Sequence, residues 1–348
     1  MTEPKTEHKA EQTSNSKPNR EFDIIARYFR PLTNGAAGAL ALQDDAALLS
    51  VPDGFELAVT TDCLVGGVHF LETLSPQDIA HKVVGVNLSD LAAMGAMPKV
   101  VFLAAQLPKG IQESWIADFA EGLRAALKPS GAALMGGDTV STPGPVAFTL
   151  TAMGHVPKGH ALMRSGAQPG DVLCVTGTIG DGALGLAVLT DALSIADSAE
   201  RDHLIQRYAR PQPRWKLAEM MVRTRQIRAA VDISDGLLAD VGHICMASGV
   251  AAVIDAPAVP LSKAVRGVLA QDPTVLNTIL GGGDDYELAF CAPQNAIADL
   301  QRLANELGEC ITVIGRIVAS DLENTAPVTV HDKAGRPIIV ESQGYQHL

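Results

Sequence analysis

The sequence predicts a two-domain protein in which α-helices and β-strands are mixed, an α/β or α+β architecture. The chain has 348 residues, a length that favours two cores over one. Hydrophobic residues make up 47% of it, which is enough to fill both cores. Segments with strand character and segments with helical spacing follow one another along the chain, and this pattern is typical of helices packed on sheets in two layers.

Composition also indicates where the domains begin and end. Residues 1–20, MTEPKTEHKAEQTSNSKPNR, contain no apolar run, so they predict a disordered tail and no secretory signal. The segment 156–170 carries several Pro and Gly residues, a composition that marks a domain boundary. We therefore expect an N-terminal domain over 21–157 and a C-terminal domain over 158–348.

The N-terminal domain is expected to begin with a helix, because apolar residues recur at helical spacing in EFDIIARYF, residues 21–29. Ser75 followed by Pro76 has the pattern of a helix N-cap with proline at the first helical position. The helix that starts there is predicted to run towards Met94, and another helix is predicted over 115–127. The strands of this domain are predicted at 55–60, 100–107, 132–135 and 146–155.

The C-terminal domain is predicted to be a second unit of strands and helices. Its first strand, 172–176, leads into a glycine-rich turn, and a second glycine-rich loop is predicted over 281–285. Further strands are predicted at 229–234, 286–291 and 312–318. Helices are predicted at 183–193, 204–208 and 296–307, and after Gly236 and Leu261.

Charge and cysteine usage exclude several classes of function. A formal net charge of −12 argues against a nucleic-acid partner, because phosphate backbones require surfaces rich in Lys and Arg. The five cysteines form no C-x-x-C pair, so a zinc site or disulfide framework is not expected and a reducing compartment is favoured. The apolar run 100–105 is too short to span a bilayer. We expect a cytoplasmic protein with no membrane partner.

Aspartates recur where strands end or glycine-rich segments begin. Each of them alone has the pattern of a helix cap or a turn residue. Together they form a set of carboxylates with few basic partners nearby, and such a set requires cations to hold it together. Carboxylate oxygens suit Mg²⁺, which combines one or two of them with substrate phosphates. These aspartates are Asp44, Asp45, Asp62, Asp90, Asp138, Asp232, Asp235, Asp284 and Asp285.

Two glycine-rich segments, 136–138 and 281–284, are candidate loops that let backbone approach a phosphate, and an ordinary tight turn is the alternative for each. If 231–234 is a strand, Asp232 and Ser234 lie on one face of it, as in a site for metal and phosphate. A serine that caps a helix is the alternative interpretation. His69 and Arg164 are single polar residues in predicted loops, where surface positions are the more common interpretation.

A dinucleotide-binding motif is rejected. GDGALG, residues 180–185, fits G-x-G-x-x-G, but the expected second strand with an acidic residue is replaced by a polar, helical segment. Walker A, H-E-x-x-H and G-x-S-x-G sequences are absent from the chain.

The motifs, in their order along the chain, resemble those of the thiamine-monophosphate kinases, a family of the aminoimidazole-ribonucleotide-synthetase-like superfamily. The resemblance covers 21–348 and includes QDDAAL, TTDCLVGGVHF, NLSDLAAMGA, MGGDTV, VDISDGLLADVGHI and GGGDDYEL. It implies the two-domain fold of that superfamily and a homodimer whose N-terminal domains together form a β-barrel, with sites near the interface. It also implies transfer of a phosphoryl group from ATP to thiamine monophosphate with several Mg²⁺ ions.

The resemblance assigns roles residue by residue. It implies metal ligands at Asp44, Thr60, Thr61, Asp62, Asp90, Asp138, Asp232 and Asp235. It implies ATP contacts at Gly137, Asp138, Arg164 and Ser234. It implies acceptor contacts at His69 and Asp284, where relatives carry Glu in place of Asp284, and Tyr345 is expected to replace an aromatic residue that is missing at Ser342.

The expected reaction needs no catalytic base in the protein. The attacking group is a phosphate oxygen, and a phosphate monoester with a second pKa near ~6 is largely dianionic at neutral pH. Direct in-line transfer without a phosphoenzyme is therefore expected. Two alternatives stay open, another ATP-using enzyme of the superfamily and a catalytically silent nucleotide-binding regulator. All of the matched metal ligands are present, and the chain has no C-terminal Cys of the kind that ends hydrogenase-maturation proteins.

Overall fold

Two separate β-sheets organise the chain, as seen in a computed structural model that describes residues 20–320, 326–340 and 344. The first sheet has four strands, and the connecting segment that follows it leads to a second sheet of seven strands. The two-domain, mixed α/β architecture is therefore confirmed. The boundary between residues 157 and 158 stays a prediction, and the predicted tail lies outside the described residues except Arg20, at which the first helix begins.

The first sheet is formed by β1 to β4, which span Phe55–Val65, Met97–Pro108, Ala133–Thr142 and Ala147–Pro157. Its strand order is β1-β4-β2-β3, so β1 and β3 are the two edges. β4 is antiparallel to both of its neighbours, and β2 is parallel to β3. The register aligns Asp62 on β1 with Leu150, Leu103 and finally Gly137 on β3. One row of residues therefore connects two segments of the predicted site.

Two helices cover one face of this sheet: α2 spans Pro76–Ala93 and α3 spans Glu113–Leu127. The predicted cap is confirmed, because the Ser75 hydroxyl accepts a hydrogen bond from the Asp78 amide at 3.1 Å. Phe119 of α3 stacks on Phe148 of β4 with ring centroids 4.2 Å apart. α2 is buried along most of its length, since it lies between the first sheet and the C-terminal domain.

The N-terminal segment before the first sheet is irregular. Helix α1, Arg20–Ile24, continues as a π-helical turn at Ile25–Phe29, which agrees with the predicted helix. Two 3₁₀ turns follow at Arg30–Thr33 and Ala37–Leu42.

The second sheet has the strand order β11-β10-β7-β9-β5-β8-β6. Its strands β5 to β11 are Val172–Thr176, Ala229–Asp232, Val250–Asp255, Leu288–Ala292, Ile311–Ala319, Val328–His331 and Pro337–Ile338. The helices α4 to α10 are Asp181–Leu189, Ser198–Ala209, Trp215–Thr224, Leu237–Ser248, Lys263–Gln271, Leu276–Gly281 and Ile297–Glu306. Short 3₁₀ turns lie at Ala256–Ala258, Pro273–Val275 and Gln294–Ala296. None of the helices within the described ranges has the length and apolar character needed to cross a membrane.

The predicted loop at 136–138 is wrong, because β3 runs through these residues without a break. Gly137 lies beside Leu103 of β2, and a Cβ atom at Gly137 would lie 1.9 Å from the Leu103 carbonyl oxygen. The glycine therefore permits close approach of two strands, a role that glycine fulfils in sheets as well as in turns.

The predicted strand at 229–234 is too long, because β6 ends at Asp232. Beyond that point the chain pairs with the loop 282–287: the Ile233 amide donates to the Glu287 carbonyl at 2.8 Å, and the Tyr286 amide donates to the Ile233 carbonyl at 2.8 Å. Ser234 thus lies in a bend held by the neighbouring loop, and the expected shared strand face of Asp232 and Ser234 is not formed.

Replacement of Gly137 by Ala is expected to destabilise the protein by about 1–3 kcal/mol, because backbone atoms have to move to relieve the clash. Thermal unfolding measures this, and Gly144→Ala is the control, since a Cβ there meets only the Thr142 hydroxyl at 3.5 Å. Equal melting temperatures for the two variants would show that the contact with Leu103 does not limit the strand spacing.

Candidate active site

A cavity of about 510 Å³ lies between the two domains and collects much of the predicted site. Its walls come from β1 and α2 on one side, and from α4, α5 and the two loops after β6 and α9 on the other. The predicted residues that line it are Asp62, His69, Asp90, Asp232, Ser234, Asp235 and Asp284. Residues from distant parts of the sequence therefore converge here, which is the usual setting of a substrate site.

Three carboxylates form the centre of this cavity wall, and each comes from a different element: Asp62 from β1, Asp90 from the last turns of α2, and Asp232 from the end of β6. Burial and the neighbouring Asp90 charge together raise the pKa of Asp62 to about 6. Burial, together with the charge of Asp90, raises the pKa of Asp232 to about 8. Burial also raises the pKa of Asp90, against the opposing effect of the Arg164 charge.

Glu287, a buried carboxylate of the C-terminal domain, behaves differently. Burial alone would raise the pKa of Glu287, but Arg214 and Arg207 hold it below its usual value. Their guanidinium nitrogens lie 2.5 and 2.8 Å from Glu287 Oε1. The central cluster lacks positive charge of the kind that these arginines supply to Glu287. Ionisation of its three carboxylates at neutral pH therefore requires additional positive charge. Its carboxylate and hydroxyl oxygens are the ligands that suit Mg²⁺.

The NLSD motif, residues 87–90, explains how the cluster is held. The fully buried Asn87 accepts a hydrogen bond from the Asp62 amide at 3.1 Å, and the Ser89 hydroxyl donates to Asp232 at 2.8 Å. The Thr60 hydroxyl donates to Asp90. Sequence reasoning missed Asn87 and Ser89, although three polar residues in the otherwise apolar stretch 83–93 were a signal that this part of the helix faces a polar site.

The bend after β6 is fixed by another residue that sequence reasoning missed. One carboxylate oxygen of Asp240 accepts hydrogen bonds from the consecutive amides of Ser234, Asp235 and Gly236 at 3.0, 3.1 and 3.1 Å. Burial raises the pKa of Asp240 to about 7. An acidic residue in the first turn of a helix was the available signal, because such residues commonly cap helix N-termini. Asp235, Asp240 and His243 offer ligand atoms within 4.8 Å of one another.

The predicted acceptor contacts His69 and Asp284 line the same cavity. His69 Nδ1 accepts a hydrogen bond from the Val65 amide at 3.0 Å, so the neutral ring carries its proton on Nε2. Asp284 has a left-handed backbone with φ of 70°. Tyr345 and Ser342 lie outside the described residues, and Gly344 lines the cavity.

Lys82 is a further cavity residue that sequence reasoning missed. Its side chain is 1% exposed, and Nζ lies 2.6 Å from Asp284 Oδ1. The signal was a single lysine followed by seven uncharged residues in the strongly apolar helix that begins at Pro76.

The remaining predicted ligands are not in this cavity. Asp44, Gly137 and Asp138 line a second cavity of about 530 Å³, whose apolar wall includes Phe29 and Phe102. The reason is the strand order, since β3 and β1 are opposite edges of the sheet. Three strand spacings of about 4.8 Å place β3 roughly 14 Å from β1, too far for one ion to bridge within a single chain.

Two further predicted residues, Thr61 and Arg164, also have exposed positions. Thr61 lies on the opposite face of β1 from Thr60, because side chains alternate along a strand, and its hydroxyl is 2.8 Å from the Thr151 hydroxyl. Arg164 is exposed in the segment between the two sheets, and its charge acts on Asp90.

The glycine-rich turn at 180–182 is occupied by the protein itself. The Asp285 carboxylate accepts hydrogen bonds from the Gly180 and Gly182 amides at 2.7 and 3.0 Å. These amides are therefore engaged within the fold, which agrees with the rejection of a dinucleotide site.

Comparison with known proteins identifies both domains. Residues 43–156 match the family model of the AIR synthase related protein, N-terminal domain, and residues 168–325 match that of the C-terminal domain. The thiamine-monophosphate kinase of Salmonella typhimurium is 43% identical over 330 residues, which cover 94% of this chain and 98% of the relative. That of Bacillus subtilis is 33% identical over 331 residues, covering 94% and 99%.

Solved structures agree with these matches. The crystal structure of thiamine-monophosphate kinase from Stenotrophomonas maltophilia K279a has a TM-score of 0.79 and 41% identity, and the match covers 88% of this chain and 95% of that one. AaThiL complexed with AMPPCP and TMP has a TM-score of 0.73 and 29% identity, with coverage of 88% and 91%. The two-domain fold expected from the sequence motifs is thus confirmed, and the chain belongs to the thiamine-monophosphate kinase family of enzymes.

Proposed function

We propose that this chain uses ATP to phosphorylate thiamine monophosphate to thiamine diphosphate by direct in-line transfer, with Mg²⁺ ions that its aspartates would hold and that would offset the charge of the substrate phosphates. The observation that carries the proposal is the cluster of Asp62, Asp90 and Asp232, whose pKa values are raised by burial and, for Asp62 and Asp232, by the charge of Asp90, so that bound cations would favour the ionised carboxylates. The names of the relatives and the AMPPCP and TMP bound in AaThiL support this choice of donor and acceptor.

The metal ligands would be Asp62, Asp90, Asp232 and Asp235 in the interdomain cavity, together with Thr60, Thr61, Asp44 and Asp138. When bound, Mg²⁺ offsets the charges of donor and acceptor phosphates and holds both in position. Asn87 accepts a hydrogen bond from the Asp62 amide and Ser89 donates one to the Asp232 carboxylate, so the backbone of Asp62 and the side chain of Asp232 are held before any ion arrives. Such preorganisation lowers the cost of assembling the site during the reaction.

The acceptor needs no base from the protein, because its phosphate is largely ionised at neutral pH. His69 belongs to the proposed acceptor contacts, and Val65 holds its ring through Nδ1. The protein then acts by positioning and by electrostatic stabilisation, and no phosphoenzyme is formed. Gly137, Asp138, Arg164 and Ser234 are the proposed contacts to ATP, and Asp284 and Tyr345 complete the acceptor set.

A homodimer is part of the proposal. β1 is an edge strand whose outward side chains are apolar and exposed: Phe55 at 43%, Leu57 at 36% and Val59 at 55%. Isolated proteins avoid exposed apolar edge strands, so a partner is expected to cover this one. If β1 of each chain pairs with β3 of the other, the two four-stranded sheets close into an eight-stranded barrel without free edges.

Dimerisation of this kind would also complete the site. Asp62 and Asp138 lie at opposite edges of one sheet, but the same residues of two chains become neighbours when β1 pairs with the partner's β3. The group of Asp44, Gly137 and Asp138 would then meet the central cluster of the second copy. Activity is proposed to reside in the cytoplasm, which suits a chain whose five cysteines are all free.

Asp90→Asn is expected to lower turnover by about 100-fold or more, because it removes an ionic ligand while keeping the shape of the side chain. Its melting temperature should gain less from Mg²⁺ than that of the wild type, as differential scanning fluorimetry would show. Asp118→Asn, on the exposed face of α3, is the control and should behave as the wild type. Normal turnover in Asp90→Asn at saturating Mg²⁺ would rule out this ligand set.

Thiamine monophosphate is expected to be phosphorylated and free thiamine is not. Thiamine offers an alcohol of high pKa, and the proposed site has no base to activate it. Product analysis by chromatography with each acceptor, under identical ATP and Mg²⁺, measures this directly. Equal use of the two acceptors, or use of neither, would contradict the proposed reaction.

Mixing of two inactive variants tests the shared site. In a mixed dimer of Asp62→Asn and Asp138→Asn chains, one of the two sites receives both altered residues and the other receives neither. Random exchange of subunits should therefore restore about one quarter of wild-type activity. Nucleotide binding to the mixture, measured by equilibrium dialysis, should rise in proportion to the restored activity. A mixture as inactive as its components would show that each chain builds its own site.

A further inference from the structure

The buried ammonium group of Lys82 is fully engaged by the protein. Besides Asp284 Oδ1 at 2.6 Å, its Nζ lies 3.1 Å from the Tyr208 carbonyl oxygen and 3.7 Å from the centroid of the Tyr208 ring. A carboxylate, a carbonyl and an aromatic face thus surround a side chain that is 1% exposed. A lysine held in this way has a fixed side-chain position and orients the groups that it contacts.

Asp284 differs from the buried Lys82, because its carboxylate is held in place and is also accessible from the cavity. Its side chain is 25% exposed and lines the cavity, while one carboxylate oxygen is held by Lys82. Its backbone is in the left-handed region, as is that of Tyr286 with φ of 51°, a conformation that is strained for an aromatic residue. A strained loop that presents a carboxylate to a cavity requires contacts that fix it, and Lys82 supplies one from the other domain.

The charges of the cavity indicate what this pair does. Among the described residues that line it, Lys82 is the only lysine or arginine, while the aspartates number five. Without Lys82, Asp284 would add a full negative charge to a cavity that has to admit phosphates. With Lys82, the pair is neutral overall but still offers carboxylate oxygen to a positive group.

We propose that Lys82 is a positioning residue for the acceptor, and that it orients the Asp284 carboxylate so that the pair selects acceptors with a positively charged ring. The inference rests on the proposed function, which assigns Asp284 to the acceptor. It adds a specificity device built from one residue of each domain.

The first test separates the two substrates. Lys82→Met keeps the length of the side chain and removes its charge, so KM for thiamine monophosphate should rise by about tenfold or more, while KM for ATP changes by no more than about twofold. Arg210→Met is the matched control. It removes another ion pair between the domains, Arg210 to Asp78 at 2.5 Å, which lies outside the cavity. An equal rise of the acceptor KM in the two variants would mean that a loosened domain interface causes it, and the inference would fail.

A second variant covers the case in which Lys82→Met does not fold, since that substitution leaves the Asp284 carboxylate without its ion-pair partner at the domain interface. The double variant Lys82→Met/Asp284→Asn removes both charges together. If Lys82 acts through Asp284, the double variant should show no larger rise in acceptor KM than Asp284→Asn alone. Additive losses would indicate a separate role for Lys82.

Binding gives a readout that does not depend on turnover. Titration calorimetry with Mg²⁺ and AMPPCP present would compare thiamine monophosphate with its thiophene analogue, whose five-membered ring is neutral. The wild type should prefer the charged ring by about tenfold, and the double variant should bind both alike. A preference retained by the double variant would overturn the inference. Failure of the wild type to use thiamine monophosphate at all would instead overturn the proposed function on which it rests.

Discussion

The repulsion between three carboxylates, gathered where two domains meet, is the constraint on which the rest of this structure depends. Asp62, Asp90 and Asp232 come from separate elements, and burial together with mutual repulsion raises the pKa values of Asp62 and Asp232. Such a cluster opposes folding of its ionised form unless cations offset it. On our proposal the cations bind together with the substrates. The repulsion that destabilises the empty protein is then relieved, and this relief favours the binding of ATP and Mg²⁺.

Several other carboxylates near the cavity have hydrogen-bond or ion-pair partners within the chain. Glu287 has Arg207 and Arg214, Asp285 receives two glycine amides, and Asp284 has Lys82. These pairs tie the strands and loops of the C-terminal domain to each other and to α2. Burial raises the pKa of Asp285 to about 8 all the same, so the carboxylates at the centre of the cavity are distinguished by their mutual repulsion and not by a raised pKa alone.

Helix caps and the starts of helices and strands depend on neighbouring residues, and local patterns in the sequence predicted them. The cap at Ser75 and the starts of most helices and strands were found from capping and periodicity, and the motif resemblance named the carboxylates. Long-range pairing was not predictable in this way. The position of Gly137 inside a strand, and its separation from Asp62 by two strands, follow from the sheet order β1-β4-β2-β3. The Lys82 to Asp284 pair joins residues from different domains, and a single sequence carries no sign of that contact.

The central claim is that divalent cations complete the carboxylate cluster in the presence of nucleotide. Electron paramagnetic resonance with Mn²⁺ in place of Mg²⁺ tests it most directly, by counting the ions bound to the protein with AMPPCP present. Asp232 is the ligand to change, because it is the most deeply buried of the three carboxylates. The account predicts that Asp232→Asn binds fewer Mn²⁺ ions than the wild type at equal nucleotide occupancy. Identical ion counts and affinities in the two proteins would contradict it.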